Sequence, residues 1–230
     1  MQRGDEAGLS AREQAARMRA KARRLEEAAD RYQQGAAGEE ATARLLARLD
    51  QSRFRVFHDL RLPGSRANVD HVVVGPTGLF VVDSKNYTSR VSVNKDTLWC
   101  GRYPQTKRLE TAHWEAAQVV EALRLDGDDV PVPTVVLCIH GVELPFTSAE
   151  VGGALVVAPS FLLGAITRRA ARLTPEQCAR LEASVQYRLY GVPMPAPPVQ
   201  ATTPRGIVVV RPPERPSWWA RLQQRVSAAR

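Results

Sequence analysis

The feature that most constrains the fold is residues 69–87, VDHVVVGPTGLFVVDSKNY, in which two runs of β-branched and aliphatic side chains flank the turn formers Gly75, Pro76 and Gly78. The runs at 72–74 and 79–82 are too short for helices and are rich in strand formers, so the stretch predicts a β-hairpin. Side chains alternate between the two faces of a strand. Asp83 and Lys85, two residues apart, therefore share a face, and Ser84 turns to the other. If pairing sets Asp70 against that end of the second strand, two carboxylates and an ammonium group meet beside the sheet. Charges in such a place are costly to bury without a counter-ion. His71 alternates to the face opposite Asp70, which predicts a packing or hydrogen-bonding residue rather than a catalytic base.

Upstream, residues 10–34 are nearly free of Gly and Pro and rich in Ala, Arg, Glu and Gln, a composition that predicts a long helix. Its apolar stripe is thin: Met18, Leu25, Ala28, Ala29 and Tyr32. Three readings apply, namely a solvent-facing arm, half of a weak coiled coil that makes a homodimer, and a nucleic-acid contact. Gly35-Ala-Ala-Gly38 predicts a break, followed by a second helix over 39–49 that buries Leu45, Leu46 and Leu49. At about 100° per residue, Glu39 lies roughly 70° from the centre of that leucine face and Glu40 nearly opposite it. Glu39 is therefore expected to border the core and Glu40 to face water.

Downstream, the pattern predicts a strand at 54–59 before the hairpin and a second hairpin at 90–93 and 97–99 after it. Helical spacing follows over 111–125, with Trp114, Ala117, Val120 and Leu123 or Leu125 on one side and Gln118 on the neighbouring arc. Strands are expected at 134–139 and 154–158, and helices at 160–171 and 174–190, the last with Thr174 as cap, Pro175 at its first position and Gly191 past its end. This order predicts an α/β fold, a mixed β-sheet flanked by helices. Eight prolines between 193 and 216 mark a Pro-rich C-terminal extension. The expected division is a helical arm at 1–34, a domain at 35–191, a linker at 192–216 and an amphipathic Trp/Arg tail at 217–230. The tail has the composition to lie on a membrane surface, dock a protein groove or pack loosely on its own domain.

With 230 residues, 44% hydrophobic and 24% charged, the chain can form one well-cored domain with extensions. No uninterrupted apolar run reaches the roughly 20 residues of a bilayer helix, so no transmembrane segment is expected. The absence of a basic-then-apolar leader predicts a cytoplasmic protein. Cys100, Cys138 and Cys178 are scattered and in no CxxC spacing, which argues against a disulfide framework and a zinc site. A net charge of +8 favours polyanionic partners such as nucleic acid, the alternative reading of the charge alone being a solvated basic surface.

Hard divalent cations such as Mg²⁺ take oxygen ligands and keep several waters, so two carboxylates plus phosphate oxygens suffice. Asp70 and Asp83 fit as direct ligands, Lys85 as the group that orients attacking water or neutralises charge at phosphorus, and Glu39 as a further member of the metal shell. Gly35-Ala-Ala-Gly38-Glu39 before a Leu-rich helix, then Val69-Asp70-His71-Val72-Val73-Val74 and Gly78-Leu79-Phe80-Val81-Val82-Asp83-Ser84-Lys85-Asn86-Tyr87, together resemble the nuclease-related domain (NERD) family of the PD-(D/E)XK superfamily, over about 35–166. The resemblance implies a restriction-endonuclease-like fold and a nuclease acting on DNA with Mg²⁺ or Mn²⁺. It assigns Asp70 to the first acidic position, Asp83 to the second (where Glu is more usual), Lys85 to the lysine, Glu39 to the helix acid and Gln118 to an accessory glutamine. Two other functions remain: a catalytically inactive module of this fold that binds nucleic acid or a protein partner, and a structural ion pair with no further role.

Overall fold

In the computed structural model of the chain, which describes residues 9–124 and 130–190, the predicted hairpin lies within a six-stranded sheet. β2 (Asn68–Gly75) and β3 (Gly78–Asn86) pair antiparallel, with Gly75 opposite Gly78 across Pro76 and Thr77. Both glycines are required. A Cβ on Gly75 would stand 2.2 Å from the Phe54 ring, and Gly78 has φ +136°, which a side chain would resist. β1 (Arg55–Arg61) pairs antiparallel with β2, close to the strand expected at 54–59.

On the other side of β3 the sheet becomes parallel. β7 (Thr134–His140) runs beside β3, β9 (Ala154–Val157) beside β7, and β8 (Ser148–Val151) closes the edge antiparallel to β9, giving the order β1-β2-β3-β7-β9-β8. A parallel neighbour demands a crossover. Here it contains a small sheet of β4 (Val91–Asn94), β5 (Thr97–Cys100) and β6 (Tyr103–Pro104), followed by helix α2 (Thr106–Leu123). The first two of those strands are the second predicted hairpin.

Helices cover both faces. Helix α1 (Leu9–Leu46) and α3 (Leu162–Thr167), which follows a 3₁₀ turn, pack Leu46, Leu162 and Ile166 against Val73, Phe80, Val82, Val136 and Cys138. Helix α2 and α4 (Pro175–Tyr190) pack Leu109, Ala116, Val119 and Val185 against Val72, Val74, Leu79, Val81 and Leu137. With two cores, β3 is buried without interruption from Gly78 to Ser84. The α/β mixed sheet flanked by helices, with a long N-terminal helix, is thus the observed architecture.

Four expectations are corrected. The helix does not break at Gly35–Gly38: α1 runs through both glycines, because Gly38 is where the helix passes against β3. A Cβ there would lie 3.0 Å from Asn86 Cβ, and Gln34 and Asn86 exchange side-chain-to-backbone hydrogen bonds of 2.7 and 2.9 Å beside it. Helix α2 starts at Thr106 rather than 111 and buries Leu109, Ala112, Ala116, Val119 and Leu123, leaving Trp114 and Ala117 only partly covered. The helix expected over 160–171 is the short α3, and β8 was not anticipated. Helix α4 begins as predicted, with the Thr174 hydroxyl accepting from the Gln177 N–H at 3.3 Å and the Gln177 side chain accepting from the Thr174 N–H at 2.8 Å. Gly191, the linker at 192–216 and the tail at 217–230 lie outside the described residues. Among the described residues, no helix is long and apolar enough to cross a membrane.

Candidate active site

The hairpin register brings the two acids together. His71 pairs with Val82, and one step further along the ladder Asp70 comes opposite Asp83. Both lie on the α2 side of the sheet with Lys85, as period two predicts. The Lys85 ammonium is ion-paired with Asp83, and the Ser84 backbone N–H donates to Asp70 Oδ2 at 2.7 Å. Asp83 is only 6% exposed. Two adjacent carboxylates away from water cannot both ionise cheaply. Burial, then the charge of Asp83, pushes the Asp70 carboxyl up to about 8, against the opposing pull of the Ser84 N–H and Lys85.

The continuous path of α1 decides where Glu39 falls. Gly38, Thr42 and Leu46 form its buried line, while Glu39 and Glu40 are both exposed. Glu39 does not border the core as its phase predicts. At that level the helix passes Asn86, the last residue of β3, so only the side directly facing the strand is covered. Its charge still reaches the site and adds to the upward push on Asp70. Glu40 stays apart, 3.8 Å from Arg44 in an exposed pair. Gln118 sits partly buried on α2 and makes no hydrogen bond with Asp70, Asp83 or Lys85 among the described residues.

Glu115, one turn before Gln118, belongs to the cluster and was missed in the sequence. Burial and then the Asp83 charge push its carboxyl up to about 7, with Lys85 opposing. The available signal was its i, i+3 relation to Gln118, which puts the two on one arc of the helix.

On the α1 side of the sheet runs a chain of polar groups, buried at His71, Ser84 and Thr42 and half-buried at His58 and His140. His58 Nδ1 lies 2.8 Å from His71 Nδ1, and His71 Nε2 lies 3.2 Å from Ser84 Oγ. The Ser84 hydroxyl donates to Thr42 Oγ1 at 2.8 Å, and Thr42 Oγ1 is 2.8 Å from His140 Nε2. His140 in turn is 3.4 Å from Cys138 Sγ. Burial lowers all three imidazoles, His71 to about 3, so they serve as neutral donors and acceptors. The hydrogen-bonding role expected of His71 is the one it has.

The donor set fits a hard divalent cation. All candidate ligands are oxygens, and Asp70, Asp83 and Glu115 outnumber the single ammonium of Lys85. A cation between Asp70 and Asp83 would offset both the burial and the Asp83 charge that raise Asp70. Among the described residues no three His, Cys, Asp or Glu side chains converge on one metal position. Water and phosphate oxygens would take the other positions.

Comparison with known proteins points the same way. The family model described as nuclease-related domain (NERD) matches residues 34–139, a span that includes Glu39, Asp70, Asp83, Lys85, Glu115 and Gln118. An uncharacterized protein of Bacillus anthracis is 39% identical over 56 residues, 23% of this chain and 26% of that protein. The chain thus matches about a quarter of that relative's length. No solved structure matches at a significant level.

Proposed function

With residues 34–139 belonging to the nuclease-related domain family, a PD-(D/E)XK-like nuclease domain, we propose that this chain is a divalent-metal-dependent nuclease that hydrolyses phosphodiester bonds in DNA. The observation that carries the proposal is the register that sets Asp70 against Asp83 with Lys85 on the same face. Asp70 and Asp83 would hold Mg²⁺ or Mn²⁺, which when bound would supply a Lewis acid for the scissile phosphate and lower the pKa of a coordinated water. Lys85 carries the positive charge that meets the phosphate and orients the attacking water. The Ser84 N–H fixes Asp70 by its hydrogen bond. Glu115, with its carboxyl near 7, is the group able to accept a proton from water or return one to the leaving oxygen at neutral pH. Glu39 and Gln118 are the accessory groups in this reading, Glu39 through its charge on Asp70. The chain's net charge of +8 supports nucleic acid as the partner.

Calorimetry of the metal-binding step and cleavage of plasmid DNA together test this. Wild type is expected to bind Mn²⁺ or Mg²⁺ and nick DNA, Asp83→Ala to lose both, and Lys85→Ala to keep metal binding while losing about 10²–10³-fold in rate. Equal background cleavage in all three proteins would refute it. A second reading, a nuclease-fold module that binds nucleic acid without cutting, is favoured by the direct Lys85–Asp83 ion pair, which occupies an oxygen the metal would need. DNA binding that is insensitive to EDTA and to Asp83→Ala, with no cleavage, is its signature.

A further inference from the structure

Helix α1 is 38 residues long, but only its C-terminal part is held by the domain. From Ser10 to Gln33 no residue is buried, and this stretch carries Met18, Leu25 and Tyr32 at 67%, 62% and 81% exposure. Those three are half of the six large hydrophobic residues exposed among the described residues. Their spacing is seven and seven. Ala11 lies seven before Met18, and Ala15, Ala22, Ala29 and Ala36 repeat with the same period three residues ahead of Met18, Leu25 and Tyr32 and of the place where the next would fall. That is a heptad with alanine at the a positions 15, 22, 29 and 36 and large side chains at three of the four d positions, Ala11 being the fourth, whereas a solitary solvated helix has no need of a seam.

We propose that this projecting part of α1 pairs antiparallel with the same segment of a second copy of this chain, as a two-helix coiled coil with an Ala-on-large seam. Antiparallel a and d residues share layers. One register sets Leu25 on Ala22 of the second copy, Met18 on Ala29, Tyr32 on Ala15, and Ala11 on Ala36, so each large side chain meets a small one and the helices can approach closely. A parallel pair would stack alanine on alanine and large on large, leaving gaps and bulges in alternate layers.

Charge selects the same orientation. Residues 12–24 hold six basic side chains and one acid, net +5, while residues 25–34 hold Glu26, Glu27 and Asp30 against Arg31, net −2. Antiparallel pairing lays the basic half of each helix along the acidic half of the other and puts Arg19 near Glu26 of the second copy. Parallel pairing would lay +5 beside +5. The arm, about 39 Å for residues 9–34, then separates two domains by the length of the coiled coil. This interface is independent of whether the domain cleaves DNA.

The test is the mass of the full chain in solution by light scattering at about 100 μM, together with disulfide trapping. The wild type is expected at twice its 25.4 kDa chain mass. The double variant Met18→Asp/Leu25→Asp should fall to one chain mass with an unchanged domain melting transition, since both sites are exposed. Disulfides need Cα atoms within about 7 Å. A mixture of Ala15→Cys and Tyr32→Cys proteins should therefore form the mixed disulfide above the background of Cys100, Cys138 and Cys178, and Ala15→Cys alone should not pair with itself. A monomeric wild type, a dimer that survives the double aspartate substitution, or an Ala15→Cys homodisulfide overturns the proposal. The first result would leave the basic stripe as a polyanion contact instead.

Discussion

Ser84 belongs to both faces of β3: its backbone N–H holds Asp70 on the acidic side, and its hydroxyl joins His71 to Thr42 on the other. Ser84→Ala would keep the strand and the N–H but leave His71 and Thr42 each short of a partner in a buried place. The expected cost is about 1–3 kcal/mol, read from the denaturant midpoint, with metal affinity weakened because the strand that presents Asp83 is less firmly seated on α1. Thr42→Val, which preserves shape and removes the link to His140 as well, should cost a similar amount. The acids carry a separate prediction. The folded Asp70 carboxyl is raised above its unfolded value of 3.8, to about 8, so the folded protein keeps a proton that the unfolded chain gives up. In the metal-free protein the stabilisation this proton contributes is then fully present below the unfolded value of 3.8 and is lost as pH rises through about 8; Glu115, raised to about 7, acts in the same direction. Melting curves in EDTA should fall from pH 5 to 9, Asp70→Asn should flatten that fall, and saturating Mg²⁺ should oppose it by binding the ionised form.

At the scale of elements, α1 is the informative case, because two glycines three residues apart have opposite reasons to be there. Nothing lies within 4 Å of a Cβ built on Gly35, whereas one on Gly38 would press on Asn86 at 3.0 Å. Helix propensity alone favours alanine by roughly 1 kcal/mol at either position. Gly35→Ala is therefore expected to stabilise the protein by up to that amount. Gly38→Ala should destabilise it on balance, since α1 must move off β3 and disturb the Gln34–Asn86 hydrogen bonds. Thermal melts of the two single variants separate the effects, and a gain at both positions would mean that Gly38 is not a contact glycine. The glycines read as a break in the sequence because propensity is local and the neighbour that needs Gly38, Asn86, is 48 residues away. The same limit misplaced the buried arc of α2, whose phase is set by Leu109 at a start that Gln105 does not announce with any side-chain cap.

Across the whole molecule, what could be read in advance was whatever short-range periodicity governs. The alternation of β2 and β3 gave the shared face of Asp83 and Lys85, the opposite face of Ser84 and His71, and, with the turn at Gly75 and Gly78, the approach of Asp70 to Asp83. The short β8 and the membership of Glu115 in the cluster were not readable, because each depends on which distant segment the parallel step from β3 to β7 carries alongside. The same distinction predicts how the arm and the domain will separate. No residue from Ser10 to Gln33 is buried, and the first side chain of α1 tied to the domain is Gln34, bonded to Asn86. The backbone is continuous across that point, but the packing is not. Deleting residues 1–30, which leaves one helical turn before Gln34, should keep the melting temperature of the domain within a few degrees, because almost no apolar area is uncovered. A loss of cooperative melting in the truncated chain would mean that the arm is part of the folding unit, and the boundary expected at residue 34 would have to be abandoned.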